Sequence, residues 1–140
     1  MNSLNSPRPP LTPLLAVDGI IEYDGGIVVI ERKNEPFGWA LPGGFVDKDK
    51  ESADEAIIRE IKEETNLDVI SSKQFKLFSN PNRDPRGHTA SMVYIIHAQG
   101  ELQAKDDAKN IKVVSLKELE SIKLVFDHKE ILEEYLKFNK

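Results

Sequence analysis

Apolar positions along the chain change period several times, and each change marks an element. Residues 14–22 and 27–32 are rich in aliphatic and β-branched side chains and flank Asp24-Gly25-Gly26. Two such runs around an Asp-Gly turn predict a β-hairpin. A short extended piece at 39–41 ends in Pro42-Gly43-Gly44. From 52 to 65 the period becomes helical, with Ala53, Ala56, Ile57 and Ile61 on one face. Ser52 with Glu55 three residues on forms a capping box, and Asn66 suits a left-handed helix end. Strands at 74–79 and 90–98 follow, joined by a polar loop, then a strand-like stretch at 111–114. A short capped helix is expected at 115–119, and a final helix at 127–137 capped by Asp127 with Glu130. Strands outnumber helices, and hairpins alternate with one long crossover. This predicts an α/β protein with a mixed sheet covered by helices.

Residues 1–13 hold Pro7, Pro9, Pro10 and Pro13 and show no periodicity, so they read as a proline-rich arm before a single domain, 14–140. A chain of 140 residues is one domain's worth, since domains cluster at about 100–150 residues. The start lacks the apolar stretch of a secretory signal, and no run approaches the ~18 apolar residues of a membrane span. A cytoplasmic location is expected. The absence of cysteine excludes a disulfide framework, thiolate metal sites and a thiol nucleophile. Nineteen Lys and Arg against 24 Asp and Glu give a net charge of −5. That sign argues against binding a nucleic acid polymer. Any phosphate must be met by local arginines or bound cations.

The helix at 52–65 carries the chemistry. Glu60, Glu63 and Glu64 fall within an arc of about 100° bordering the apolar face. Like charges at these spacings cost about 0.2–0.5 kcal/mol per pair. Glu63 and Glu64 also lie in the last turn, where the helix dipole disfavours negative charge. A solvated acidic face is one reading, with Arg59 relieving Glu63 four residues on. A hard divalent cation is the other, and oxygen ligands without histidine point to Mg2+ or Mn2+.

The stretch 44–67, GFVDKDKESADEAIIREIKEETNL, resembles the Nudix box, the signature of hydrolases acting on nucleoside diphosphates linked to another moiety. Glu51, Arg59, Glu60, Ile61, Glu63, Glu64 and Leu67 stand at matching spacings. Six residues instead of five separate Gly44 from Glu51, and Asn66 replaces a glycine. The resemblance implies an α/β/α sandwich and Mg2+-dependent attack of water on a diphosphate phosphorus. It implies Glu60, Glu64 and Glu63 as metal ligands with a backbone contact from Gly43. It also gives Glu63, Arg59 and Glu51 catalytic roles, Arg59 chiefly by pairing with Glu51 or Glu63. Glu63 is one candidate base, and Glu101, Asp106, Asp107 and Glu118 stand unranked beside it.

A second segment bears on substrate. Residues 80–88, NPNRDPRGH, lie between two strands and read as a surface turn or as a loop whose arginines grip phosphate. With KNEPFGWALPGG at 33–44 and Asp106-Asp107-Ala108, this loop resembles the ADP-ribose pyrophosphatase branch of that family. The resemblance implies cleavage of ADP-ribose to AMP and ribose 5-phosphate, with Arg83, Arg86, Gly44 and His88 as substrate contacts. Trp39 is a stacking candidate for adenine or a core residue. The alternatives are a nucleoside triphosphate pyrophosphohydrolase and a non-catalytic ADP-ribose sensor. Members of the branch are often homodimers, and the proline-rich start is a candidate arm across such an interface.

Overall fold

In a computed structural model, residues 10–104 and 108–138 are described. Most of the proline-rich arm, along with Asp106 and Asp107, lies outside them. Seven strands and two α-helices follow in the order β1 (Leu14–Tyr23), β2 (Gly26–Arg32), β3 (Trp39–Ala40), β4 (Gly43–Phe45), α1 (Ala53–Thr65), β5 (Asp68–Phe78), β6 (Thr89–Gln99), β7 (Ala108–Ser115) and α2 (His128–Phe138).

The strand β1 organises the sheet. One edge runs parallel to β6 from Leu14↔Thr89 to Ile21↔Ile96. The other edge is divided: β4 takes Ala16–Asp18 antiparallel, and β2 takes only Glu22 and Tyr23 through the hairpin. Beyond those two pairs β2 turns to β7 and β3. The first two strands therefore part company, and the space between them opens into a cleft.

Period-2 alternation along β1 sends its side chains to two cores. Val17 and Ile21 join Ala56, Ile57 and Ile61 of α1, Tyr94 and Ile96. Ile20 faces the opposite way, with Val29, Val93 and Ile131, Leu132 and Tyr135 of α2. The result is the expected α/β/α sandwich. Each fully buried aliphatic side chain contributes about 1.5–3 kcal/mol to this arrangement.

The helix α1 has the predicted ends. Ser52 Oγ accepts from the Glu55 N–H, the Glu55 carboxylate accepts from the Ser52 N–H, and Asn66 adopts φ 70°. Elsewhere the limits shift. The predicted strand at 74–79 is β5, which starts at Asp68, because two register breaks and a largely exposed, serine-rich start erase its alternation. The glycine-rich β4 was not expected as a strand. The predicted helix at 115–119 is the end of β7 followed by a 3-10 turn, Glu118–Glu120, although Ser115 and Glu118 exchange the expected capping bonds. The final helix starts one residue late, and the Asp127 carboxylate is held by Arg83. No helix among the described residues is long and apolar enough to cross a membrane.

Candidate active site

The last two turns of α1 bring Glu60, Glu63 and Glu64 to one side of the cleft, as their spacing predicts. They share it with Gly43, Gly44, Arg59, Arg32 and Arg86, in an opening of about 860 Å³. Glu64 is buried, and its Oε1 accepts the Gly43 N–H at 2.7 Å. Glu63 is the more open group, with its side chain 40% exposed against 12% for Glu60.

Arg59 organises the carboxylates. Its Nε and Nη2 form a bidentate pair with Glu51 at 2.8 and 2.6 Å. Its Nη1 reaches Glu60 at 2.8 Å and Glu63 at 3.1 Å. The bonds from Arg59 pull Glu51 from 4.5 down to about 2, aided by the Asp47 N–H. The Glu51 carboxylate in turn holds the Arg59 guanidinium above its ordinary range, against a smaller opposing effect of burial. Arg59 therefore pairs with both partners expected for it, and with Glu60 besides.

Two glycines set the floor by close approach. A Cβ on Gly43 would stand 2.1 Å from the Val17 carbonyl oxygen, and one on Gly44 would stand 2.7 Å from the Glu60 carboxylate. Neither residue has a positive φ; both lie extended in β4. The extra residue before Glu51 is absorbed by an exposed turn at 48–50, closed by the bond from the Lys50 N–H to the Asp47 carbonyl, with Asp49 at φ 65°. The contact between Gly44 and Glu60 is thereby preserved.

Arginine and aromatic groups form the opposite wall. Arg86 forms a bidentate pair with Asp84 at 3.1 and 2.8 Å and stacks on Phe45 and Phe126. Arg32 also stacks on Phe126 and donates to the carbonyls of Pro36 and Glu35. Burial, then the charge of Arg86, lowers the pKa of Arg32. Two guanidiniums set together against one ring favour an anion between them. Phe126 has φ 58°, a strained backbone for a bulky residue, costing about 1–3 kcal/mol. Such strain concentrates where structure serves a site.

Two expected substrate contacts, His88 and Trp39, lie away from the cleft, and a third, Arg83, borders its inner end. Arg83 is buried, and its fork is held by Asp127 at 3.0 and 2.8 Å, so it fixes the loop from the inner side of the cleft, while the more exposed Arg86 stands at its mouth. His88 Nε2 lies 3.0 Å from the Ser79 carbonyl oxygen, at the base of the same loop. Trp39 packs against the α2-side core beneath Lys112. Of the alternative bases, neither Glu101 nor Glu118 lines the cleft. Arg32, Phe45 and Phe126 were not foreseen. The run IERK gave only the end of a strand, and an aromatic just before a helix carries no signal of its own. Beneath the cleft, buried Asp18 accepts from Ser91 Oγ at 2.5 Å.

The donor set suits a hard divalent cation. It consists of carboxylate oxygens and backbone oxygen, with no sulfur, and Glu63 is open to solvent. Among the described residues no three acidic or histidine groups already stand close enough together to hold a metal ion.

Comparison with known proteins bears on the family and the fold. The NUDIX domain model matches residues 12–135. An ADP-ribose pyrophosphatase of Methanocaldococcus jannaschii is 48% identical over 131 residues, covering 91% of this chain and 76% of the relative. The NUDIX domain of Shewanella oneidensis NrtR, solved in complex with ADP ribose, superposes with a TM-score of 0.87 at 26% identity, covering 98% of this chain and 96% of that one. A bifunctional NMN adenylyltransferase/ADP ribose pyrophosphatase of Francisella tularensis, solved with AMP and a Mn ion, gives a TM-score of 0.79 at 32% identity. The match covers 96% of this chain but only 43% of that longer one. With the family model spanning nearly the whole domain, this chain belongs to the NUDIX family.

Proposed function

We propose that this protein hydrolyses the diphosphate bond of ADP-ribose, releasing AMP and ribose 5-phosphate, with Mg2+ as its cation and Mn2+ as a substitute. The observation that carries this reading is the two-sided cleft. Glu60, Glu63 and Glu64 stand on one wall, and Arg32 and Arg86 on the other. An anion with two phosphates has a cation-holding wall and a guanidinium wall to lie between. The similarity to an archaeal ADP-ribose pyrophosphatase supports the choice of substrate.

Glu60 and Glu64 would hold the cation with the Gly43 carbonyl, and Glu63 would contribute as a ligand or as the base. A bound divalent cation supplies charge neutralisation on the diphosphate oxygens and a more acidic water. Glu63, the more exposed carboxylate, would take a proton from the attacking water. Arg59, anchored on Glu51, keeps Glu60 and Glu63 from repelling each other out of position. Arg86 and Arg32 hold the substrate's charge on the opposite side.

Incubation of purified protein with ADP-ribose and Mg2+, followed by chromatography, should give AMP and ribose 5-phosphate in equal amounts. A panel including nucleoside triphosphates tests the alternative substrate. Release of pyrophosphate from a triphosphate, with ADP-ribose untouched, would replace the substrate assignment. The likeness to NrtR supports a second reading, tight binding of ADP-ribose without turnover. The complete set of box glutamates favours hydrolysis.

A further inference from the structure

The first residue of α2 enters the cleft region without a part in the chemistry above. His128 is buried, and its Nδ1 accepts the Leu41 N–H at 2.9 Å. Accepting there places the ring proton on Nε2, which faces the Asp18 carboxylate at 3.6 Å. The preceding residue, Asp127, is clamped by Arg83, so the ring is delivered from a fixed backbone.

Leu41 opens a segment that is anchored at three successive residues to three different elements. Its N–H goes to His128 of α2. The Pro42 carbonyl accepts from Gly19 of β1 at 2.8 Å. The Gly43 N–H donates to Glu64 of α1 at 2.7 Å. A buried N–H deprived of its acceptor must find another, and the relief open to Leu41 is rotation of its peptide plane. Rotation there propagates through Pro42, whose φ is fixed, to the Gly43 N–H and carbonyl.

We infer that His128 is a positioning residue for the cation-facing edge of the cleft. Its Nδ1 fixes the 41–43 segment so that the Gly43 N–H orients Glu64 and the Gly43 carbonyl keeps its place. The inference rests on the reading of Glu60, Glu63 and Glu64 as cation ligands, and it adds a residue 64 positions away in the chain from Glu64. It also explains why Arg83 is bound to Asp127: that pair sets the entry of α2 and hence the aim of the imidazole.

The test is direct Mn2+ binding without nucleotide, read from the electron paramagnetic resonance signal of free Mn2+, on folded protein verified by circular dichroism. His128→Leu keeps bulk and removes the acceptor, whereas His128→Asn places an amide oxygen near the former Nδ1. His128→Leu should bind Mn2+ about tenfold or more weakly, the usual scale for an outer-shell partner, and His128→Asn should stay within about threefold of the unaltered protein. A folded His128→Leu with unaltered affinity, or an equal loss in both variants, would overturn the assignment. Absence of Mn2+ binding by the unaltered protein would overturn both this inference and the ligand reading beneath it. If His128→Leu does not fold, nitrogen NMR of the unaltered protein decides. An Nδ1 without a proton, with the Leu41 and Gly43 amide signals moving together on Mg2+ addition, is the expected result. A protonated Nδ1, or a Gly43 signal that moves while Leu41 stays still, is the contrary one.

Discussion

The guanidinium of Arg59 grips Glu51 with two bonds, 2.8 and 2.6 Å long, while its remaining nitrogen spans Glu60 and Glu63. Glu51 is thus an anchor for the residue that keeps the carboxylate cluster together. Its own carboxylate is taken up by Arg59 and the Asp47 N–H and does not line the cleft.

That anchoring is pH-dependent. Arg59 lowers Glu51 from 4.5 to about 2, so the folded state binds this proton less readily than the unfolded chain. The stabilisation is complete above pH 4.5 and is lost as pH falls toward 2. Glu51→Gln should lower stability at pH 7 by about 1–3 kcal/mol and flatten the dependence across that window. Urea unfolding at several pH values measures both. An unchanged acid profile in the variant would remove Glu51 from this role.

The two neighbouring glycines should fail differently. Alanine at Gly43 meets backbone of β1, which cannot yield, so Gly43→Ala should destabilise by about 1–3 kcal/mol or more. Alanine at Gly44 meets only the end of the Glu60 side chain. Gly44→Ala should melt within a few degrees of the unaltered protein yet need more Mg2+ for half-maximal activity. Melting curves and Mg2+ titrations of both variants, measured side by side, would show the contrast or its absence.

Glu64→Gln should cut turnover of ADP-ribose at least about 100-fold, since loss of outer-shell partners alone costs 10–100-fold. The fold should persist, because an amide oxygen can still accept from Gly43. Turnover within a few-fold of normal would refute Glu64 as a ligand.

The loop arginines should separate by phenotype. Arg83→Ala leaves Asp127 without its buried partner, and breaking such pairs costs about 3–5 kcal/mol. Arg86→Ala should lower the melting temperature less than Arg83→Ala, because Asp84 keeps the backbone N–H of residue 86, and should raise KM for ADP-ribose about tenfold, the loss of about 1.4 kcal/mol of binding. Steady-state kinetics and calorimetry on both variants test the division. Equal kinetic effects would give Arg83 the same part as Arg86 in holding substrate.

Legibility from sequence followed how local each interaction is. The cap of α1, its apolar face and the spacing of Glu60, Glu63 and Glu64 depend on residues a few positions apart, and all stand as read. The opposite wall depends on Arg32, Arg86 and Phe126, drawn together from three distant segments by the parting of β1 and β2. The loop around Arg86 marks it, but nothing in the neighbourhoods of Arg32 and Phe126 marks those two. Arg83 and Arg86 look equivalent three residues apart, and only the approach of Asp127 from another element assigns one to the scaffold. The strand β4 was invisible for a related reason: Gly-Gly-Phe has no strand preference, and its extended form comes from tight contact with β1.

The surplus residue at 48–50 also has a practical meaning. The signature's spacing is not a ruler, because the turn projects into solvent while Gly44 and Glu51 stay where Glu60 and Arg59 require them. Length there is free to vary without reaching Glu60, Glu63 and Glu64. A reporter dye attached at Lys48 would sit beside the cleft, on backbone that bears no strain from the site, and would sense the arrival of a nucleotide without obstructing it.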